Sequence, residues 1–328
     1  MRISSKIFLS LLISASLVAC SQDGEGKNKK SKKNIDEVTE NTPPQEALTP
    51  CVKKDLVESS TSGKLKAKVI YGDDNRLEYC ETSNVQNMAL SDSTAVLVRT
   101  TDLVQKTADV FKFDAPTYAQ QFNLCKEEPF RDQLSLGFCS GFLVAPDTMV
   151  TAGHCIRTES ACSSTSFVFG FNVQNAGAYP TETPADQVYK CAKLVNSVVE
   201  SAGKDYAVVK LDRPVVGHNP LKLRQSGAIQ VSDAVVVMGY PSGIPLKISG
   251  GAKVRSVQTG FFVANLDTYG GNSGSAVFNE TTGEVEGILV RGEADFVTQG
   301  SCRVSNRCAD SDCRGEDVTR ITEVLKDL

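Results

Sequence analysis

The sequence predicts an all-β protein closed by a short helix. Short apolar runs rich in β-branched residues recur along the chain, and Gly, Pro, Asn and Asp separate them. Helical periodicity is limited to the stretch 316–328, where Val318, Ile321, Val324 and Leu325 fall at helical spacing. The predicted strands lie at 95–98, 141–144, 167–169, 206–211, 234–238, 275–278 and 285–290.

Residues 1–19 have the pattern of an export signal. Arg2 and Lys6 flank the start of an apolar run that ends in small residues before Cys20, and this run is too short for a comfortable membrane span. The sequence Leu-Val-Ala-Cys resembles the lipobox of bacterial lipoproteins, which implies lipidation of Cys20 and attachment to a membrane. By the same resemblance, Ser21 favours the outer membrane, facing the periplasm or the cell surface. The alternative is an ordinary cleaved signal and a secreted protein.

The polar stretch after the signal predicts a flexible tether over 20–50. It contains few apolar residues and a lysine cluster, so it cannot bury enough surface to fold. Residues 51–68 are a candidate pro-segment, and 69–328 are long enough for a two-lobed enzyme. The formal net charge of −4 gives no argument for nucleic-acid binding.

The cysteine count supports export. Eleven cysteines minus Cys20 leave an even number, which in an exported chain predicts a disulfide framework. Zinc is the weaker alternative, because Cys-x-x-Cys pairs are absent and the chain has two histidines. The sequence therefore implies no metal and no organic cofactor. The ten remaining cysteines are at positions 51, 80, 125, 139, 155, 162, 191, 302, 308 and 313.

A histidine motif supplies the candidate general base. Thr-Ala-Gly-His-Cys, ending at Cys155, follows an apolar run and a turn and resembles the histidine motif of chymotrypsin-like peptidases. The resemblance implies that His154 is the catalytic base and that a Cys139–Cys155 disulfide closes its loop. A buried structural histidine is the alternative interpretation.

A glycine-rich serine motif supplies the candidate nucleophile. Gly-Asn-Ser-Gly-Ser over 271–275 precedes an apolar run and resembles the nucleophile loop of the glutamyl endopeptidase branch of that superfamily. Ser273 is the predicted nucleophile, and the amides of Gly271 and Ser273 are the predicted oxyanion donors. Glycine at 271 suits this role because both amides must point at one oxygen, which requires an unusual backbone turn.

Asp205 is the candidate orienting carboxylate. It heads the apolar run 206–211 and lies between the histidine and serine motifs, as the chain order of the superfamily requires. Asp186 and Asp212 are rivals that do not precede an apolar strand so directly. The second histidine, His218, lies in a polar connecting stretch and is assigned no catalytic role.

The resemblance covers about 69–292 and implies the fold. It implies two antiparallel, six-stranded-type β-barrels, as in chymotrypsin-like peptidases, with the catalytic residues in the cleft between them. Val-Ile at 69–70 resembles the start of mature glutamyl endopeptidases, so cleavage between Lys68 and Val69 is a hypothesis. A Cys51–Cys80 disulfide, left open against other pairings, would keep the severed segment attached. Residues 293–328 lie outside the resemblance.

Three residues are candidates for substrate binding. Thr268 matches a pocket residue of the glutamyl branch, but Leu289 stands where that branch has a histidine, which argues against glutamate preference. Asp267 lies six residues before Ser273, the offset at which trypsin-like enzymes bind Arg or Lys, although Arg291 could neutralise it. Arg or Lys is the preferred expectation, followed by small or apolar residues and then glutamate.

These features predict a monomeric serine endopeptidase that acts on proteins or peptides. The alternative from another class is a catalytically inactive, protease-like surface lipoprotein that binds a protein partner. The complete set of His154, Asp205, Ser273 and Gly271 argues against it. An acyl hydrolase with a nucleophile elbow is disfavoured because its serine precedes the acid and the histidine in the chain.

Overall fold

The computed structural model describes Cys51 and residues 70–328. The predicted signal, the lipidation of Cys20, the tether and most of the candidate pro-segment lie outside these residues and stay predictions. None of the helices in the described part is long and apolar enough to cross a membrane.

Strands dominate the described residues, and the helices are short. The helices are α1 (Val85–Ser91), α2 (Tyr118–Phe122) and α3 (Glu159–Ser163). The strands are β1 (Ile70–Tyr71), β2 (Arg76–Glu78), β3 (Thr94–Arg99), β4 (Leu103–Thr107), β5 (Val110–Phe113), β6 (Cys139–Ala145), β7 (Thr148–Thr151), β8 (Thr165–Val168), β9 (Glu182–Pro184), β10 (Val188–Val199), β11 (Asp205–Leu211), β12 (Ala234–Gly239), β13 (Lys247–Val257), β14 (Phe261–Ala264), β15 (Ala276–Asn279), β16 (Val285–Arg291), β17 (Phe296–Gln299), β18 (Cys302–Ser305), β19 (Arg307–Cys308) and β20 (Glu316–Arg320).

Twelve of these strands form two closed barrels. The first barrel has the order β10-β11-β7-β6-β3-β8 and closes through the pairing of β8 with β10. The second has the order β12-β15-β16-β20-β14-β13 and closes through the pairing of β12 with β13, while β2 pairs with the start of β13. The pairings within both barrels are antiparallel, so the predicted two-barrel architecture is confirmed.

The apolar side chains of single strands enter two different cores. On β3, Ala95 and Leu97 pack in one buried cluster, while Val96 and Val98 pack in another. The second cluster also contains Met238 and other side chains of the second barrel. Because successive side chains of a strand point to opposite faces, a strand buried on both faces reads as a continuous apolar run. This explains why these strands could be predicted from sequence.

The seven predicted strands are confirmed, but the predicted C-terminal helix is wrong at its start. Residues 316–320 form β20, where Val318 pairs with Phe262 of β14 and with Leu289 of β16. Only short 3₁₀ helices follow, at Ile321–Glu323 and Leu325–Asp327. Hydrogen bonds to strands on both sides outweigh a local periodicity that spans only a few residues.

All ten cysteines of the predicted framework are paired. The Cys139–Cys155 bridge expected from the resemblance is present, as is the Cys51–Cys80 bridge that the sequence left open. The remaining bridges are Cys125–Cys302, Cys162–Cys191 and Cys308–Cys313.

A buried ion pair fixes the edge where β2 joins the second barrel. Lys247 is 2% exposed, and its Nζ donates to Glu78 Oε2 (3.0 Å), Gln133 Oε1 (2.9 Å) and the carbonyl oxygen of Pro245 (2.7 Å). All three ammonium hydrogens therefore have acceptors, and removal of either charge leaves the other buried without its counter-ion.

Replacement of Lys247 by Ala should destabilise the protein strongly. We expect the free energy of unfolding to fall by about 3–5 kcal/mol, because Glu78 is left as an uncompensated buried charge. Urea unfolding with intact disulfides measures this. The control is Lys106→Ala, which breaks the exposed Lys106–Glu182 pair and should cost no more than about 1 kcal/mol. Equal effects of the two substitutions would contradict the assignment.

Candidate active site

The structure brings His154 and Asp205 into direct contact. The imidazole Nδ1 lies 2.8 Å from Asp205 Oδ2, and the backbone amide of His154 donates to Asp205 Oδ1 at 3.0 Å. The contact follows from strand pairing, because His154 comes just after β7 and Asp205 begins β11, which pairs with β7. With Nδ1 on the carboxylate, Nε2 is the ring nitrogen available to a substrate or a nucleophile.

Asp205 is buried and held from both barrels. Its amide donates to Thr319 Oγ1 on β20 (3.0 Å), and the same hydroxyl lies 3.2 Å from the carbonyl oxygen of Asp205. Burial by itself would raise the pKa of Asp205, but hydrogen bonds from His154 and the charge of Arg291 outweigh it and lower this pKa. The carboxylate is therefore ionised at neutral pH, as an orienting partner of a histidine must be.

Arg291 lies beside this pair. Its guanidinium is 3.6 Å from Asp205 Oδ2, donates to Asp317 Oδ2 (3.3 Å) and also donates to the carbonyl oxygens of Glu200 (3.2 Å) and Gly203 (2.7 Å). The sequence raised this arginine only as a neutraliser of Asp267, and its ion-pair partners in the described residues are Asp205 and Asp317.

Ser273 reaches the site on a loop that the first barrel holds in place. Its carbonyl oxygen accepts the amide of Ser140 on β6 (2.8 Å) and lies 3.7 Å from the sulfur of Cys155, the neighbour of His154. The Ser140 hydroxyl donates to the carbonyl oxygen of Gly271 (2.8 Å) and accepts the amide of Tyr240 (3.0 Å). Ser273 thus lies beside the histidine loop.

The loop also presents two free amides. Within the described residues, neither the Gly271 nor the Ser273 amide donates to a protein group, although the amides of Asn272 and Ser275 do. Gly271 has φ +91°, and a Cβ there would lie 2.7 Å from the carbonyl oxygen of Tyr240. A glycine is required at this position for both reasons. The two free donors are suited to bind a developing oxyanion.

A cavity of about 140 Å³ opens beside Ser273. Two of the predicted substrate-binding residues, Thr268 and Leu289, line it, together with Glu316 from the start of β20. Glu316 is 3% exposed, and its Oε2 accepts the hydroxyl of Thr268 at 3.1 Å. Burial raises the pKa of Glu316 to about 8.

Asp267 is outside this cavity, in contrast to the expectation from sequence. Its Oδ1 accepts the amide of Tyr71 (2.8 Å), and its Oδ2 accepts the amide of Asn75 (2.9 Å). The carboxylate therefore anchors the stretch from β1 to β2 to the residues before the nucleophile loop. The position of Asp267 six residues before Ser273 could not reveal this role. The two amides that Asp267 binds belong to residues almost 200 positions earlier in the chain.

The rivals considered from sequence lie elsewhere. Asp212 accepts the amide of Lys190 (3.1 Å) and pairs with Arg213 (3.3 Å). His218 Nε2 lies 2.9 Å from Gln187 Oε1, and the ring stacks on Phe169 with centroids 4.5 Å apart. Its contacts are structural, as expected.

One group of metal-ligating atoms occurs in the described residues, namely Cys139, His154 and Cys155. The two sulfurs are bonded to each other, so neither is a thiolate, which is the form that binds metal. These residues therefore do not fit a metal centre.

Sequence reasoning missed Ser140, Thr319 and Glu316. Ser140 lies within the histidine motif, but its role depends on a loop more than 100 residues later. Thr319 and Glu316 belong to the stretch interpreted as a helix, and the structure places both in β20 instead.

A scan against family models matches residues 139–288 to the trypsin-like peptidase domain. The matched segment contains the histidine, aspartate and serine motifs, and it ends before β20. This part of the chain is thus similar to trypsin-like peptidases, as the motifs implied.

Curated relatives are similar over the same region. The glutamyl endopeptidase of Bacillus licheniformis is 31% identical over 157 residues, which cover 45% of this chain and 47% of that protein. Secreted RxLR effector protein 73 of Plasmopara viticola is 32% identical over a match that covers 43% of this chain and 38% of that protein. The extracellular metalloprotease of Bacillus subtilis is 27% identical, covering 43% and 45%. The chain spans less than half the length of each. A solved Glu endopeptidase in complex with MPD has a TM-score of 0.44 and 19% identity, covering 73% of this chain and 94% of that one.

Removal of the Asp267 carboxylate should loosen the segment around β1. In Asp267→Ala the amides of Tyr71 and Asn75 lose their acceptor, and we expect a loss of about 1–3 kcal/mol in the free energy of unfolding. Hydrogen exchange should accelerate at these two amides. In the control Asp212→Ala, an exposed carboxylate loses one backbone amide partner, and the cost should stay below about 1 kcal/mol. Unchanged exchange at both amides in Asp267→Ala would refute the anchoring role.

Proposed function

We propose that this protein is an exported serine endopeptidase that hydrolyses peptide bonds through His154, Asp205 and Ser273. The observation that carries the proposal is the contact of His154 Nδ1 with the buried Asp205 carboxylate, next to a loop that presents Ser273 and two free amides. The match of residues 139–288 to the trypsin-like peptidase domain supports the same reaction.

In this mechanism Ser273 Oγ attacks the carbonyl carbon of the scissile bond. His154 Nε2 takes the hydroxyl proton and later gives it to the leaving amine. Asp205 holds the ring in the required tautomer and stabilises the imidazolium. The amides of Gly271 and Ser273 bind the negative oxygen of the tetrahedral intermediate.

The location that fits this proposal is outside the cytoplasm. Ten paired cysteines are typical of proteins that fold in an oxidising compartment. We further propose that Cys20 is lipidated and attaches the enzyme to the outer membrane through the 20–50 tether. The proposed substrates are proteins or peptides, and the proposed oligomeric state is a monomer.

Replacement of Ser273 by Ala should abolish peptidase activity. We expect turnover of a mixed peptide library to fall by about 10⁴–10⁶-fold, because the nucleophile is lost while the fold is kept. The wild-type chain from residue 21 should also take a fluorophosphonate label that Ser273→Ala does not take. Correctly disulfide-bonded wild type that neither cuts peptides nor takes the label would favour the inactive, partner-binding alternative.

Cleavage between Lys68 and Val69 should leave both pieces joined. The Cys51–Cys80 bridge crosses the proposed cut, so the mature protein should run as one band without reductant. After reduction, a shorter chain with a Val-Ile terminus should appear in Edman sequencing. In Cys51→Ser the segment should separate without reduction. A reduced chain that keeps its original terminus would contradict processing, and separation of the wild-type pieces without reductant would contradict the bridging role.

A further inference from the structure

The cavity beside Ser273 has a carboxylate in its wall. Residues just before the nucleophile, the end of β16 and the start of β20 form this cavity, and Ser273, Thr268 and Glu316 all line it. A side chain next to the scissile carbonyl enters whatever cavity adjoins the nucleophile. The groups that line this space therefore decide which substrate residue is accepted.

The Glu316 carboxylate is hydrogen-bonded but unpaired. Oε1 accepts the hydroxyl of Tyr71 (3.2 Å) and the amide of Glu293 (3.3 Å), and Oε2 accepts the hydroxyl of Thr268 (3.1 Å). A carboxylate offers about four acceptor positions, so one position remains on Oε2. None of the ion pairs in the described residues includes Glu316.

The backbone leaves room for this carboxylate. A Cβ at Gly292 would lie 1.6 Å from Glu316 Oε2, so a larger residue at 292 would force the Glu316 side chain out of its present position. The missing side chain of Gly292 thus leaves the space that the Glu316 carboxylate occupies in the wall of the cavity.

The other charged groups of the cavity do not neutralise Glu316. Arg291 is held by Asp317, Asp205 and two carbonyl oxygens. Asp295 Oδ2 accepts the amide of Gly270 at 2.8 Å and adds a second negative group, as does Glu293. The cavity therefore has an excess of acidic groups.

Comparison with Asp267 shows what is unusual here. Both carboxylates are buried, and neither has a cationic partner among the described residues. Asp267 accepts hydrogen bonds from two backbone amides and lies away from the cavity. Glu316 accepts hydrogen bonds from one backbone amide and two hydroxyls, and it lines the cavity. A buried carboxylate is stabilised most by a cation that completes its coordination, and only the substrate can supply one.

We propose that Glu316 is the specificity-determining residue and that the cavity accepts a lysine or arginine side chain from the acyl side of the scissile bond. This inference rests on the proposed peptidase function. Glu316 thereby takes the role of binding a substrate lysine or arginine, which the sequence analysis gave to Asp267. A glutamate side chain is excluded because it would place a further carboxylate beside Glu316, Glu293 and Asp295.

The selection should strengthen as pH rises. Burial raises the pKa of Glu316 to about 8, and the nearby Asp295 adds to this effect. Tyr71, Thr268, Glu293, Asp295 and Arg291 are the polar and charged groups around it. A substrate cation favours the ionised carboxylate, so cation binding gains as pH rises through the pKa of Glu316. Lysine itself stays charged over this range.

The test compares two peptides that differ only in lysine or norleucine before the cut bond. Norleucine keeps the apolar stem and lacks the ammonium group. For the wild-type chain from residue 21, kcat/KM for lysine should exceed that for norleucine by roughly 10- to 100-fold. In Glu316→Gln this ratio should fall to within a few-fold, since the amide keeps the size of the side chain but not its charge. In Asp267→Asn the carboxylate that is removed lies outside the cavity, so the ratio should stay at the wild-type value.

The pH dependence separates this role from a structural one. Both peptides react at the same catalytic groups, so the ratio of their kcat/KM values cancels the pH dependence that they share. The ratio should rise between pH 7 and 9 in the wild type and stay flat in Glu316→Gln. Fluorophosphonate labelling of Glu316→Gln at the wild-type rate shows that its active site is formed, and cleavage of the norleucine peptide confirms it.

Each outcome decides between the two proposals. An active enzyme that prefers norleucine or glutamate, or whose lysine preference survives in Glu316→Gln, overturns the role of Glu316 and leaves the peptidase function intact. Wild type that neither takes the label nor cuts any peptide overturns the peptidase function, and the specificity inference with it.

Discussion

The hydrogen bonds of one buried serine hold the two halves of the candidate active site together. Ser140 is the second residue of β6, next to Cys139 of the disulfide that closes the histidine loop, and it is fully buried. Its amide binds the carbonyl of Ser273, and its hydroxyl binds the carbonyl of Gly271 and the amide of Tyr240. The first barrel therefore fixes the backbone on both sides of the nucleophile, while Thr319 of the second barrel fixes Asp205. Each barrel thus positions a candidate catalytic residue that the other carries.

A second set of contacts holds the nucleophile loop from the N-terminal side. Asp267 binds the amides of Tyr71 and Asn75, and the guanidinium of Arg76 lies 4.5 Å from the ring centre of Tyr269. Arg76 is itself buried and paired with Asp74 at 2.7 Å. The first described residues of the domain are thus part of the support of the active site. The Cys51–Cys80 bridge attaches whatever precedes them to the same region.

The buried charged groups of this protein differ in whether the fold supplies a partner of opposite charge. Lys247 with Glu78, Arg76 with Asp74 and Arg224 with Glu286 are internal pairs whose charges are compensated within the fold. Asp205 is hydrogen-bonded to His154, and Arg291 lies 3.6 Å from it as a counter-charge. Glu316 differs from all of these because its remaining acceptor faces a cavity. An uncompensated carboxylate at such a place is what the proposed selection of a cationic side chain requires.

The sequence by itself determined the local features of this protein. Runs of β-branched residues predicted the barrel strands, because a strand buried on both faces must be apolar at successive positions. The histidine, aspartate and serine motifs predicted the candidate catalytic residues, because the proposed roles of these residues depend on short segments with demanding backbone geometry, such as Gly271. Only the tertiary structure decided the rest. Residues 316–320 became a strand because two neighbouring strands were there to pair with it. The specificity role proposed here belongs to Glu316 and not to Asp267, because the surroundings of a carboxylate come from distant parts of the chain and a chain offset carries no information about them.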